Sequence, residues 1–138
     1  MKYLLDTNIL IFLLTEDFSQ LTTIQKSVLQ HPDNSFVMSE ASIFEMAIKA
    51  RLSKLSFSNF SFEEAVTTQR KRLNIALLKP KSIHYRNIRQ IEQVLKRDGK
   101  PHADPFDLLI ISQAITENLP ILSTDDYFPD YKLLQVIV

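Results

Sequence analysis

The stretch HADPFD at residues 102–107, with the apolar run LLIISQA at residues 108–114 behind it, organises the rest of this chain. It places two carboxylates, Asp104 and Asp107, at the start of a strongly apolar helix, where a charge has no packing role. Between Pro101 and Tyr131 there are six acidic residues and neither lysine nor arginine. We therefore expect a cation that the chain does not supply to neutralise these acids.

The same stretch also fits an ordinary helix start. Asp104 would be the N-cap, Pro105 the first helical residue, and Asp107 an acid near the positive end of the helix dipole. Capping alone explains Asp104. It explains Asp107 less well, because capping boxes prefer glutamate or glutamine at that position. In either role the two carboxylates lie close together.

A further acid, Asp6, directly follows the apolar segment Lys2–Leu5, which predicts a short buried strand. Ligands of parallel α/β sheets bind beyond the carboxyl ends of the strands, so Asp6 has the position of a site residue. Helix capping is the alternative role for Asp6. We expect Thr7 or Asn8 to provide that cap, which leaves Asp6 free for function.

Three other acidic residues complete the candidate set. Glu45 lies on a helix predicted to start at Glu40, and a surface ion pair with Lys49, four residues later, is its alternative role. Asp125 and Asp126 follow a predicted strand over residues 120–123, again where a strand ends. The hypothesis is that four of the acids gather into one divalent-metal site.

Strand-like and helix-like segments alternate along the chain, which predicts βαβ units and a mostly parallel sheet with helices on both faces. The content of 45% hydrophobic and 23% charged residues is ordinary for a globular protein, and we expect residues 1–138 to form a single domain. The predicted strands are 2–5, 35–39, 120–123 and 133–136, and residues 75–78 are either a further strand or an extended link.

Basic residues are concentrated in one segment although the formal net charge is zero. Residues 70–100 contain ten of the sixteen lysines and arginines and only two acids, Glu92 and Asp98. A basic band beside an acidic pocket suits a polyanion whose phosphate reaches metal ions. The alternative is the solvated face of a basic amphipathic helix, which the pattern predicts over residues 82–96.

The composition restricts the chemistry. With no cysteine, thiol nucleophiles and cysteine zinc sites are excluded. Clustered carboxylates instead suit Mg²⁺ or Mn²⁺, which can activate water and stabilise the leaving oxygen of a phosphodiester. A glycosidase is less well supported, because the chain has no tryptophan to form a sugar platform. A phosphohydrolase with Asp6 as nucleophile and a catalytically inert binding module remain as alternatives.

Four motifs, in this order, resemble the PIN-domain nucleases, and the VapC-type toxin branch of type II toxin–antitoxin systems in particular. They extend over nearly the whole chain, and their ordered combination is more specific than any one of them. They are LDTN at residues 5–8, SEASIFEMAIK at 39–49, HADPFD at 102–107 and STDDYF at 123–128.

The resemblance implies a three-layer α/β/α sandwich and a Mg²⁺- or Mn²⁺-dependent endoribonuclease toxin, in which activated water attacks an RNA phosphodiester. The family's acids correspond to Asp6, Glu45 and Asp107, and its Thr-x-Asp pattern places the fourth at Asp126. Asp104 would be an extra ligand or the cap described above. The branch often has Gly-Lys-Leu where this chain has Ser-Lys-Leu at residues 53–55.

Supporting roles are assigned to Asn8, Ser39, Thr124 and His102, which adjoin the acids. Capping is the alternative for the hydroxyls, and a structural hydrogen bond is the alternative for His102. Family resemblance further implies a homodimer and a cognate antitoxin, with aromatic residues of the 57–62 segment forming either an interface or covered core. We expect no export signal, because Asp6 interrupts the first hydrophobic run, no membrane span, and a cytoplasmic location.

Overall fold

The computed structural model describes all 138 residues and has a five-stranded parallel sheet at its centre, in the order β3-β2-β1-β4-β5. The predicted α/β fold with a parallel sheet is confirmed. Leu4 and Leu5 of the central strand have no exposed surface, as their unbroken apolar pattern predicts for a strand covered on both faces. The strands are β1 (Lys2–Leu5), β2 (Ser35–Ser39), β3 (Ile75–Leu78), β4 (Ile121–Leu122) and β5 (Val136–Ile137).

Helices cover both faces of the sheet. Leu5 packs in one buried cluster with Ile9 and Met46, whereas Leu4 packs in another with Ile110 and Phe128. Because neighbouring residues of a strand point to opposite faces, these two clusters make the fold a three-layer α/β/α sandwich. No helix has both the length and the apolar character needed to cross a membrane. The helices are α1 (Thr7–Leu14), α2 (Thr23–Gln30), α3 (Glu40–Arg51), α4 (residues 62–72, with a π-helical turn over Ala65–Gln69), α5 (Ser82–Ile88) and α6 (Pro105–Thr116).

The predicted basic helix over residues 82–96 is wrong in its second half, because α5 ends at Ile88. Val94 is 7% exposed and packs in the core, and its carbonyl accepts a hydrogen bond from the His102 amide at 2.8 Å. Leu95 forms an antiparallel bridge with Pro101. These contacts close residues 96–100 into a short loop, hereafter the 96–100 loop.

The parallel sheet also divides the basic segment that the sequence shows as continuous. Lys71 and Arg72 precede β3 and lie at the amino edge of the sheet, whereas Lys79 follows β3 at the carboxyl edge. Asp6 follows β1 at that same carboxyl edge. Only part of the basic segment therefore lies on the side of the molecule that carries the acids.

The aromatic residues of the 57–62 segment are partly covered rather than free. Phe57, Phe60 and Phe62 pack against the buried cluster around Leu5, and the ring centroids of Phe57 and Phe60 lie 5.3 Å apart. Of the two roles left open for this segment, the contacts favour covered core.

Ser53, which follows the C-cap residue of α3, has a φ of 58°, a left-handed conformation that costs less for glycine than for serine. We expect Ser53→Gly to raise the free energy of unfolding by about 0.5–1 kcal/mol, measured by urea denaturation. Ser56→Gly is the matched control, because Ser56 does not have a positive φ and a glycine there only increases the freedom of the unfolded chain. Equal effects of the two substitutions would contradict the prediction.

Candidate metal centre

Asp6 is anchored at the junction of β1 and α1. Its Oδ1 accepts a hydrogen bond from the Thr7 amide at 2.7 Å, and its Oδ2 accepts one from the Ser123 hydroxyl at 2.7 Å. Asp6 is therefore the N-cap of α1, and the expectation that Thr7 or Asn8 caps this helix is wrong. Burial raises the pKa of Asp6 to about 6 despite these two hydrogen bonds, and the charges of Glu45 and Asp125 act in the same direction.

Asp107 lies in the first turn of α6, with its side chain 18% exposed and its Oδ2 3.0 Å from His102 Nε2. Burial raises the pKa of Asp107 to about 8. Four neighbouring carboxylates act in the same direction, because each adds negative charge near the group. In decreasing order of effect they are Asp104, Asp6, Asp125 and Glu45.

Glu45 projects from α3 with its side chain 20% exposed. The predicted pair with Lys49 is present only as a 3.8 Å contact to Oε2. The other oxygen, Oε1, is buried and has no hydrogen-bond partner. A buried carboxylate oxygen without a donor is unfavourable, so Glu45 has an unmet requirement for a cation or a donor.

Asp125, rather than Asp126, lies in the cluster. Ligand atoms of Asp125, Asp107 and His102 lie within 4.8 Å of one another. Asp125 Oδ1 is fixed by the amide of Tyr127 at 2.7 Å. The side chain of Asp126, which the Thr-x-Asp pattern selects, is instead 71% exposed and lies 3.8 Å from Arg97 Nη2.

Asp104 is exposed and caps α6. Its Oδ1 accepts hydrogen bonds from the amides of Phe106 and Asp107, each at 3.0 Å. This is the geometry of the capping role that the sequence left open for Asp104. Its charge still reaches Asp107, whose pKa it raises.

His102 is buried between Asp107 and Tyr131. Its Nδ1 lies 2.7 Å from the Tyr131 hydroxyl, and its Nε2 lies 3.0 Å from Asp107 Oδ2. Burial raises the pKa of Tyr131 to about 12, so the phenol keeps its proton and can donate it to Nδ1. When Tyr131 donates to Nδ1, Nε2 carries the ring hydrogen and donates to the ionised Asp107 carboxylate. With both nitrogens in use, His102 orients Asp107 instead of offering a free metal ligand.

The other supporting residues are placed as follows. Ser39 is buried and caps α3, accepting a hydrogen bond from the Ala41 amide at 3.0 Å. Asn8 is half-buried in the first turn of α1. Thr124 is exposed. Ser123, the residue before it, makes the contact with Asp6.

Sequence reasoning missed Ser123, although a signal for it exists. It directly follows β4, and Asp6 directly follows β1. These two strands pair in parallel, with Leu5 opposite Leu122, so the residues that follow them must be neighbours. The order of the strands in the sheet, which only the fold supplies, is what makes this signal usable.

The donor set fits a divalent cation. Asp6, Glu45, Asp107 and Asp125 come from four different parts of the chain, and Lys49 is the only lysine or arginine within 4.0 Å of any of them. Two of the acids have strongly raised pKa values, and Glu45 has an unpartnered buried oxygen. Carboxylate oxygens are the ligands that Mg²⁺ and Mn²⁺ prefer, and such an ion would offset the repulsion among them.

The fold and the cluster together define an α/β/α domain with an acidic site at the carboxyl edge of a parallel sheet. The chain belongs to the PIN domain family, whose model matches residues 3–133. A comparison with curated protein sequences found no match.

Solved structures with this fold include three VapBC proteins. VapBC2 from Rickettsia felis, solved bound to a DNA fragment from its promoter, has a TM-score of 0.68 at 19% identity over 99% of this chain and 98% of that one. VapBC-1 from nontypeable Haemophilus influenzae has 0.59 at 23% identity, covering 99% and 97%. VapBC-5 from Mycobacterium tuberculosis, described as a toxin–antitoxin system, has 0.61 at 14% identity, also covering 99% and 97%. At these identities the likeness is one of fold.

Proposed function

We propose that this protein is a metal-dependent endoribonuclease that hydrolyses RNA phosphodiesters with an activated water. The observation that carries the proposal is the close approach of the Asp107 and Asp125 carboxylates, with Asp6 and Glu45 near enough to raise the pKa of Asp107, and without a cationic partner that balances their charge. Asp125 takes the place that the sequence assigned to Asp126, since its carboxylate adjoins Asp107 and that of Asp126 does not.

In this proposal the four acids hold Mg²⁺ or Mn²⁺, and the surrounding residues hold the acids. Ser123 and the Thr7 amide fix the two oxygens of Asp6, and His102 fixes one oxygen of Asp107. When bound, such an ion lowers the pKa of a water and stabilises negative charge on phosphate oxygens. The protein's contribution is preorganisation, because carboxylates anchored at helix starts and strand ends need little rearrangement to bind.

The proposal is tested by removing and restoring metal. We expect the purified protein to cleave single-stranded RNA, to lose this activity in EDTA, and to regain it when excess Mn²⁺ or Mg²⁺ is added. Asp6→Asn, which removes a charge with almost no change in volume, serves as the matched control for contaminating nucleases and should stay inactive with either metal. If metal never restores cleavage, the inert binding module is the better description.

A phosphohydrolase with Asp6 as nucleophile is less well supported by the geometry. Asp6 is 4% exposed, and both of its carboxylate oxygens already accept hydrogen bonds. A nucleophile needs an open approach to the substrate phosphorus. Covalent labelling of Asp6 by a phosphomonoester would restore this alternative.

We further propose that the protein acts in the cytoplasm as a toxin that forms a homodimer and binds a cognate antitoxin. One solved structure of similar fold, VapBC-5 from Mycobacterium tuberculosis, is a member of the VapBC family of toxin–antitoxin systems. An exposed apolar stripe on α3 and its C-cap residue supports contact with another protein. It consists of Phe44, Ile48 and Leu52 at four-residue intervals. Light scattering gives the molar mass of the purified protein, which tests the homodimer, and of its mixture with antitoxin, which tests the complex.

A further inference from the structure

The 96–100 loop carries three cations on a fixed backbone. The Lys96 amide donates to the Lys100 carbonyl at 2.8 Å, and the Gly99 amide donates to the Lys96 carbonyl at 2.9 Å. Asp98 Oδ1 accepts from the Lys100 amide at 2.9 Å. With Lys96, Arg97 and Lys100 against the single acid Asp98, the loop has a formal charge of about +2.

This loop adjoins the carboxylate cluster. The Arg97 amide donates to the Tyr127 hydroxyl at 3.3 Å, and the Tyr127 ring centroid lies 5.5 Å from that of His102. His102 in turn contacts Asp107. The loop is therefore separated from the proposed metal ligands by two aromatic side chains, and its position is fixed by contacts on both sides.

An RNA strand at this site would be attracted by metal ions bound to the acids and repelled by the exposed carboxylates around them. One phosphate can be held by ions at the acids, but the neighbouring phosphates would face the negative charges of Asp104, which has no cationic partner, and of Asp126, which is only weakly paired with Arg97. Both aspartates are exposed. Exposed lysines and arginines are the usual contacts for backbone phosphates, and these contacts position the strand without reading its sequence. The side chain of Arg97 is 82% exposed.

We propose that Arg97 and Lys100 bind the RNA phosphates next to the linkage held at the acids, and that Asp126 weakens this binding by pairing with Arg97. The inference rests on the proposed function and adds to it the surface along which the strand lies. It also gives Asp126 a role at the entrance to the site in place of the metal-binding role that its sequence position predicted.

The test measures equilibrium binding of a fluorescent single-stranded RNA of about 20 nucleotides, between about 50 and 300 mM salt, in EDTA and in an Asp107→Asn background. Neither metal binding nor cleavage then enters the measurement. We expect Arg97→Gln with Lys100→Gln to raise Kd on the order of tenfold at low salt. The plot of log Kd against log salt concentration should become less steep, with its slope smaller by about 1.4, the value for two lost phosphate contacts to a single strand.

Lys71→Gln with Arg72→Gln is the matched control. It removes two exposed charges from the same basic segment, but at the amino edge of the sheet, and should leave Kd and the salt slope nearly unchanged. Asp126→Asn should lower Kd by about twofold, because it frees Arg97 from a weak surface pair.

Equal effects of the two double substitutions, or no binding of RNA in this background, would overturn the proposal. Failure of the proposed function looks different. In that case the otherwise unsubstituted protein binds RNA in a way that depends on Arg97 and Lys100, but no metal restores cleavage.

Discussion

Asp107→Asn should abolish metal-dependent RNA cleavage and should also make the metal-free protein more stable at pH 8. Both effects have one cause. The folded protein buries much of the Asp107 carboxylate and surrounds it with four other acids, and both effects, burial first, raise its pKa to about 8. The ionised group is therefore needed to bind metal but is unfavourable when no metal is present. An amide removes the charge while keeping the size and one acceptor oxygen for His102.

The direction of the pH dependence follows from proton binding. The pKa of Asp107 rises from 3.8 in the unfolded reference to about 8 in the folded protein, so the folded state binds this proton more tightly. The resulting stabilisation is complete below about pH 4 and is lost as pH rises towards 8. Asp6, with a pKa of about 6, contributes in the same direction over the lower part of this range.

Thermal unfolding in EDTA measures the stability effect. We expect the unsubstituted protein to unfold at a lower temperature at pH 8 than at pH 5, and Asp107→Asn to raise its Tm at pH 8 by about 5–10 °C, which corresponds to roughly 2 kcal/mol. The gain should shrink at pH 5. Added Mn²⁺ should stabilise the unsubstituted protein more than the variant.

Asp130→Asn is the control for this experiment, since it removes an exposed acid from the same acidic segment of the chain. It should change neither cleavage nor the pH dependence of unfolding. Cleavage by purified Asp107→Asn at the unsubstituted rate would refute its assignment as a metal ligand. An unchanged or lower Tm of Asp107→Asn at pH 8 would show that the ionised Asp107 carboxylate does not destabilise the folded protein.

Asp125→Asn should lower kcat for RNA cleavage by at least about 100-fold, whereas Asp126→Asn should leave kcat within about twofold of the unsubstituted value. The reason is geometric. The Asp125 carboxylate belongs to the group whose ligand atoms lie within 4.8 Å of one another, and Asp126 faces solvent beside Arg97. The side-chain oxygen of the introduced asparagine can still accept the hydrogen bond from the Tyr127 backbone amide, so the loop should keep its shape.

Steady-state kinetics with a defined RNA and saturating Mn²⁺ separates these two neighbours, and circular dichroism checks that each variant is folded. The two substitutions are chemically identical and one residue apart, so each is the control for the other. The reverse result, with Asp126 essential and Asp125 dispensable, would support the sequence motif against the geometry of the site.

The layer architecture and the positions of two acids, Asp6 and Asp107, could be predicted from the sequence because they follow from local pattern, whereas Glu45 is assigned only through the family resemblance. Uninterrupted apolar strands of four or five residues, separated by helices, indicate a parallel sheet covered on both sides. Asp6 follows the central strand, and Asp107 lies at the start of an apolar helix. The carboxyl edge of such a sheet is where such groups meet.

The tertiary structure alone decided which side chains lie in or next to the carboxylate cluster. Whether Asp125 or Asp126 turns inward depends on the hydrogen bonds of Asp125 to the following amides, and a short loop has no periodicity from which this could be predicted. Ser123 contacts Asp6 because β4 pairs with β1. The basic segment, residues 70–100, lies at both edges of the sheet because part of it precedes β3 and part follows it. The predicted helix over residues 82–96 ends early, and Val94 packs in the core. Periodicity along a chain determines elements and their buried faces, but contacts between residues far apart in sequence depend on how those elements pack.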